Sequence, residues 1–183
     1  EILGVDSRDP RSRERVGFLP EIFNFDGFLK GEEFLRLFAR LGGADQSQVT
    51  ARIAELLEIL DMPTAGGIKI RNYSKGMTQK IGLAQALIAD PQVLILDEPT
   101  ANLDSRTGAG IIELMKEINR SLQTTFVFST HDKKVIAKAD RLIRIEDGRV
   151  RRLGMRIDDD WVLVKERRKG RETQAAISEE GAQ

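Results

Sequence analysis

The sequence predicts an α/β fold built on a mainly parallel sheet with flanking helices, and three observations carry that expectation. Val93-Leu94-Ile95-Leu96 is continuously apolar and too short for a helix, so it reads as a central strand buried on both faces. Thr125-Phe126-Val127-Phe128 is a second such run. Between them Ile111, Met115, Ile118 and Leu122 recur at helical spacing, and strand, helix, strand implies parallel pairing through a right-handed crossover.

The remaining elements follow in order. Arg15 to Leu19, stopped by Pro20, reads as a short buried strand. Phe34, Leu35, Leu37, Phe38 and Leu41 mark an amphipathic helix that ends at Gly42-Gly43. Asp45 and Gln48 have the form of a capping box opening a second helix with Val49, Ile53, Leu56, Leu57 and Leu60 as its stripe. Met77, Ile81, Ala84, Leu87 and Ile88 mark a third, closed at Asp90-Pro91. Gly108 and Gly110 weaken the first turn of the helix between the two apolar runs by about 1 kcal/mol each. Val135, Ile136 and Ala139 suggest a further short helix, and Asp147-Gly148 signals a hairpin between Leu142–Ile145 and Val150. These elements place a globular domain at residues 1–150, with a helical subdomain over about 22–90. Residues 151–183, densely and oppositely charged, read as a tail ordered at most around Trp161 to Val164.

Composition narrows the function. The 183 residues carry 29 Lys plus Arg against 29 Asp plus Glu, which removes the broad basic footprint of a nucleic-acid coat. No Cys and one His exclude disulfides, thiolate metal sites and thiol nucleophiles. No apolar run reaches the length of a membrane span. The chain opens at Glu1 within the apolar stretch Ile2, Leu3, Val5, and we expect it to be a piece of a longer protein.

Chemistry concentrates at three places. Asp97 and Glu98 follow the central strand, where open α/β sheets bind ligands; one carboxylate there can hold Mg²⁺ while its neighbour accepts a hydrogen bond from an attacking water. Asn72-Tyr73-Ser74-Lys75-Gly76-Met77 opens the third helix, whose first amides suit a phosphate; Ser74 adds a hydroxyl, Lys75 a cation and Gly76 close backbone approach. A plain helix cap by Ser74 is the simpler alternative. Ser129-Thr130-His131-Asp132 follows the second apolar run and holds the only His, which can donate to a terminal phosphate oxygen.

Taken together, Tyr-Ser-Lys-Gly-Met, Leu-Ile-Leu-Asp-Glu-Pro-Thr, Ala101-Asn102-Leu103-Asp104 and Ser-Thr-His-Asp resemble, in order and spacing, the signature motif, Walker B strand, D-loop and switch His of the ATP-binding-cassette ATPases. The resemblance implies a partial P-loop NTPase fold with an inserted helical subdomain. It also implies ATP and Mg²⁺ as cofactors, Glu98 and His131 as catalytic residues, and Asp97 as a metal residue. Ser74, Lys75, Gly76 and Asp104 would meet nucleotide in a head-to-tail dimer with a second such domain. Gly17-Phe18-Leu19-Pro20-Glu21 is similar to the loop that usually carries a Gln contacting Mg²⁺; here the position is Glu21, which can bind the metal but cannot donate to water. With Lys75 and Met77, this resembles the bacterial exporter-type branch.

The resemblance further implies a permease partner, no nucleic acid, and a cytoplasmic location peripheral to the membrane. Phe23, Phe25 and Phe28 would belong to the permease-facing groove, whereas the helical spacing of Phe34 and Phe38 assigns them to core. The family's G-x-x-x-x-G-K-[ST] phosphate loop is absent, since no Gly in the sequence is followed by Lys. We therefore expect this chain alone to be inactive. The alternatives are a cassette ATPase without a transporter and a non-hydrolysing cassette used as a binding module. The basic run from Lys165 to Arg171 is flanked by acids and reads as solvated surface.

Overall fold

In the computed structural model, the described residues are 1–22, 26–101, 103–157 and 160–164, without the side chains of residues 163 and 164. The chain divides into two compact units, Glu1–Asp132 and Lys133–Gln183.

The first unit is organised by a parallel sheet. Strand β1 (Val16–Leu19) pairs with β2 (Val93–Asp97), which pairs on its other side with β3 (Thr125–Ser129). The register sets Leu19 beside Leu96 and Phe128, so Gly17, Leu19, Leu94, Leu96, Phe126 and Phe128 share one face. Leu19, Leu94 and Leu96 on that face are fully buried. Helices α1 (Gly31–Leu41), α2 (Val49–Ile59), α3 (Lys75–Leu87) and α4 (Ser105–Leu122) supply the rest of the core. The first three form the helical insertion between β1 and β2; α4 makes the crossover from β2 to β3.

Helix α3 is the hub of this packing, meeting α1, α2, β1 and α4. It is buried at Gln79, Ile81, Gly82, Leu83, Ala84, Ala86 and Leu87, nearly all round, as a helix covered from several sides must be. Its approach to β1 depends on Gly17, where a Cβ would collide with the Ala86 carbonyl and the Leu94 side chain. Phe34 is buried and its ring centroid lies 4.8 Å from that of Phe38, in accord with a core assignment for both. Phe28 is exposed, with the Arg71 guanidinium 5.5 Å from its ring centroid; Phe23 and Phe25 lie outside the described residues.

Two local expectations are corrected. The Asp45–Gln48 capping box does not form: the Asp45 carboxylate accepts from the Ser47 amide (3.0 Å) and hydroxyl (2.8 Å), making a turn ahead of the helix. Helix α2 then starts at Val49 with Gln48 at its N-cap. The run Thr125–Phe128 is not buried on both faces, because Val127 is 47% exposed and Phe18 of β1, on the same face across Ile95, is 52% exposed. Continuous apolarity there does not report two covered faces.

The second unit contains α5 (Lys133–Ile136) and an antiparallel sheet of β4 (Arg141–Glu146), β5 (Arg149–Ile157) and β6 (Asp160–Val164). Asp147 and Gly148 both take positive φ (50° and 70°) between β4 and β5, the backbone that a two-residue hairpin turn demands. Strand β5 continues well beyond Arg151, and residues 151–157 and 160–164 of the stretch read as tail are strand. Its period-two pattern of Leu153, Met155 and Ile157 is masked in the sequence by Arg152 and Arg156, while Gly154 gives the space over which Trp161 lies. Residues 165–183, with the basic run, lie outside the described residues.

Candidate functional site

Parallel strands bring their carboxyl ends to one edge of the sheet, and Glu21, Asp97, Glu98 and His131 follow or end those strands. Glu21 follows β1 by two residues, Asp97 ends β2 beside Ser129 of β3, and His131 follows β3 by two residues. The backbone then turns sharply at Glu98, whose φ of +42° is unusual for a residue with a side chain. Such strain costs about 1–3 kcal/mol and survives only where the surroundings enforce it. Here the Glu98 amide donates to the Ser129 carbonyl (2.8 Å) and the Glu98 carbonyl accepts from Ala101 (2.9 Å).

That turn aims the Glu98 carboxylate at the loop after β3. Oε1 accepts from the His131 amide (3.1 Å) and lies 2.5 Å from His131 Nδ1; Oε2 accepts from the Thr130 hydroxyl (2.9 Å). Because a carboxylate only accepts, the short contact places the proton on Nδ1. Burial of Glu98, whose side chain is 18% exposed, pushes its pKa up. The hydrogen bonds from the His131 ring, the Thr130 hydroxyl and the His131 amide, with the charge of the ring, outweigh this and hold it below the ordinary glutamate value. The His131 side chain is 91% exposed, leaving Nε2 facing outward for a ligand.

The carboxylate of Asp97, a half-buried residue, makes no hydrogen bond or ion pair with a described side chain. An acidic oxygen donor at a strand end fits Mg²⁺, which takes one or two carboxylates and otherwise uses water and phosphate oxygens. Among the described residues no three His, Asp or Glu side chains cluster to form an all-protein cage.

The signature-like turn sits at the start of α3. Ser74 is its N-cap, accepting from Met77 N at 3.2 Å, so the simple capping role is present and the hydroxyl proton is left over for another acceptor. Lys75 is exposed and no acidic residue stands in the first turn, so no carboxylate of the helix itself offsets its positive end. Tyr73 anchors the turn through a bond from its hydroxyl to the Ala65 carbonyl (2.7 Å), and burial raises its pKa.

Asp104 is the N-cap of α4, accepting from Arg106 N (3.1 Å), Thr107 N (3.0 Å) and the Thr107 hydroxyl (2.6 Å). These bonds, the Thr107 hydroxyl first, lower its pKa. A Cβ on Gly76 would stand 3.0 Å from Thr107 Cγ2, so the signature-like turn and the Asp104 cap are neighbours. Glu98 with His131, and Gly76 with Asp104, thus form two local groupings.

Residues 2–101 match the ABC transporter family over more than half of the chain. The chain belongs to this family. Among ABC transporter proteins, the methionine import ATP-binding protein MetN of Cupriavidus necator is 34% identical over 86% of this chain and 46% of its own length. The Nod factor export ATP-binding protein I of Cupriavidus metallidurans is 35% identical over 75% and 44%. The macrolide export ATP-binding/permease protein MacB of Campylobacter jejuni is 31% identical over 81% and 23%. The chain therefore spans less than half the length of these relatives. A dimeric ATP-binding cassette solved with ADP and Pi in a post-hydrolysis state superposes with a TM-score of 0.66 at 29% identity, over 79% of this chain and 64% of that one. The fold is accordingly that of an ABC ATPase in part, α/β with a parallel sheet and flanking helices.

Thr130, Thr100 and Asp132 belong to the quoted sequence blocks yet received no role from sequence. The signal available for them is chemical: short hydrogen-bonding side chains in turns that also carry Glu98 and His131.

Proposed function

We propose that the chain is part of an ATP-hydrolysing subunit that powers transport through a separate membrane permease, on the cytoplasmic side of the membrane. The observation that carries this is the Glu98–His131 pair at the carboxyl end of the parallel sheet, in a chain of the ABC transporter family. Glu98 polarises the attacking water through the lone pairs left on Oε2, and the outward Nε2 of His131 orients the terminal phosphate. Asp97 and Glu21 are the residues that would hold Mg²⁺, which neutralises phosphate charge when bound. Ser74, Lys75 and Gly76, at a helix N-terminus with no acidic residue in its first turn, contact ATP held by the partner domain of a head-to-tail dimer, with Asp104 between the paired sites.

The direction we propose is export, on the strength of Glu21, Lys75 and Met77; the names of the relatives include both import and export. No helix among the described residues is long and apolar enough to cross a membrane.

The test is Glu98→Gln in the full protein. Phosphate release is expected to fall by at least about 100-fold, the usual contribution of a general base, with an ATP-bound dimer accumulating on size exclusion. Near-normal turnover removes Glu98 from this role.

A further inference from the structure

We propose that Thr100 and Asp132 form a positioning pair that locks the geometry of Glu98 and His131 by tying the turn after β2 to the turn after β3. The proposal rests on the function given above and concerns two residues that act on Glu98 and His131 through Thr130.

The need for such a tie is visible in the exposure of His131. With 91% of its side chain open, packing does not select its rotamer, so its orientation depends on the bonds its loop makes. Those bonds run in a chain. The Thr100 hydroxyl donates to Asp132 Oδ2 (2.9 Å), the Asp132 amide donates to Thr130 Oγ (3.0 Å), and the Thr130 hydroxyl donates to Glu98 Oε2 (2.9 Å). Thr130 is thereby acceptor and donor at once, an arrangement in which each bond polarises the next. Asp132 fixes where Thr130 stands, and Thr100 fixes Asp132.

Thr100 is itself held. Its carbonyl accepts from Leu103 N (3.3 Å), and its Cβ and Cγ2 lie 3.8 Å from where a Cβ on Gly108 would stand, against the first turn of α4. With the methyl group set toward that turn, the hydroxyl is directed at Asp132. The loop opening into Asp104 is thus bonded to the loop bearing His131 by a side-chain contact spanning 32 residues of sequence.

The chain's single His makes the proposal directly readable. In ¹⁵N spectra of the imidazole of the 183-residue chain without nucleotide, taken at a pH where the ring is neutral, the wild type is expected to show the Nδ1-protonated tautomer that donates to Glu98. Thr100→Val keeps the methyl packing and deletes the hydroxyl; it is expected to lose that pattern in favour of the Nε2-protonated form, as is Glu98→Ala, which removes the acceptor. Thr100→Ser is expected to restore it. Should Thr100→Val fail to fold, Asp132→Ala probes the same bond from the other side. A wild-type tautomer in either folded variant overturns the pair, and so does a Thr100→Ser spectrum that matches Thr100→Val. The spectrum reads geometry in the absence of ATP, so its outcome is separate from that of the phosphate-release test.

Discussion

The Glu98 carboxylate illustrates how neighbouring donors decide a residue's charge. Desolvation alone would favour its protonated form, whereas three donors from residues 130 and 131 favour the anion and prevail. The sign of the resulting pH dependence follows. A folded-state pKa below the unfolded one means that the stabilising contribution is complete above the unfolded value, about 4.3, and is lost as pH falls through the lower folded value. In ¹³C spectra the Glu98 carboxyl is expected to titrate below the ordinary glutamate midpoint, and Thr130→Val, by removing one donor, is expected to raise that midpoint. An unchanged midpoint in the variant would mean that the Thr130 bond contributes nothing. That Glu98 and His131 would lie at one edge of the sheet was legible, because both follow short apolar runs that read as strands. Thr100 and Asp132 were not legible in the same way. Their contact arises from the parallel register of β2 and β3, which fixes the distance between two turns far apart in sequence.

At the scale of elements, close packing constrains composition most severely where a helix meets a strand without an intervening side chain. Gly17 is such a place, and the Ala86 carbonyl occupies the position a methyl group would need. Since the obstacle is backbone and Ala86 is on the buried hub helix, relief requires α3 to move from β1. Gly17→Ala is expected to destabilise the chain by about 1–3 kcal/mol, measured by urea unfolding, the range for overpacking a well-filled core. A substitution that left the midpoint unchanged would show that α3 can shift freely. Periodicity made α1, α3 and α4 readable, since each must turn an apolar face to the sheet or to another helix. The capping-box pattern misled at the start of α2, where Asp45 had two local donors in Ser47 and closed a turn in preference to capping. Strand β5 was hidden for a different reason. Its arginines alternate with apolar residues, so charge density resembled a tail while the backbone had β4 and β6 to pair with.

For the molecule as a whole, affinity for a triphosphate depends on how many donors converge on it and what else they meet. The first unit offers a helix N-terminus at Ser74 to Gly76 and an outward imidazole at His131. Glu98, held as a carboxylate, bonds the imidazole, and Asp97 ends β2 beside Ser129; negative charge at this edge repels a free polyphosphate unless cation charge intervenes. No Gly-Lys pair exists in the 183 residues to supply a backbone cradle with its lysine. The contacts present therefore suit covering a nucleotide held elsewhere better than capturing one from solution. Calorimetric titration of this chain with ATP and Mg²⁺ is expected to give a Kd weaker than about 1 mM, less than about 4 kcal/mol of binding free energy. Phe18 and Val127, open on the same face of the sheet, add an apolar surface that favours self-association at high concentration, so the titration belongs at low protein concentration with light scattering in parallel. A dissociation constant in the low micromolar range from a monodisperse sample would mean that the strand-end groups and the α3 N-terminus suffice for capture, and that the division of labour between paired domains proposed here is wrong.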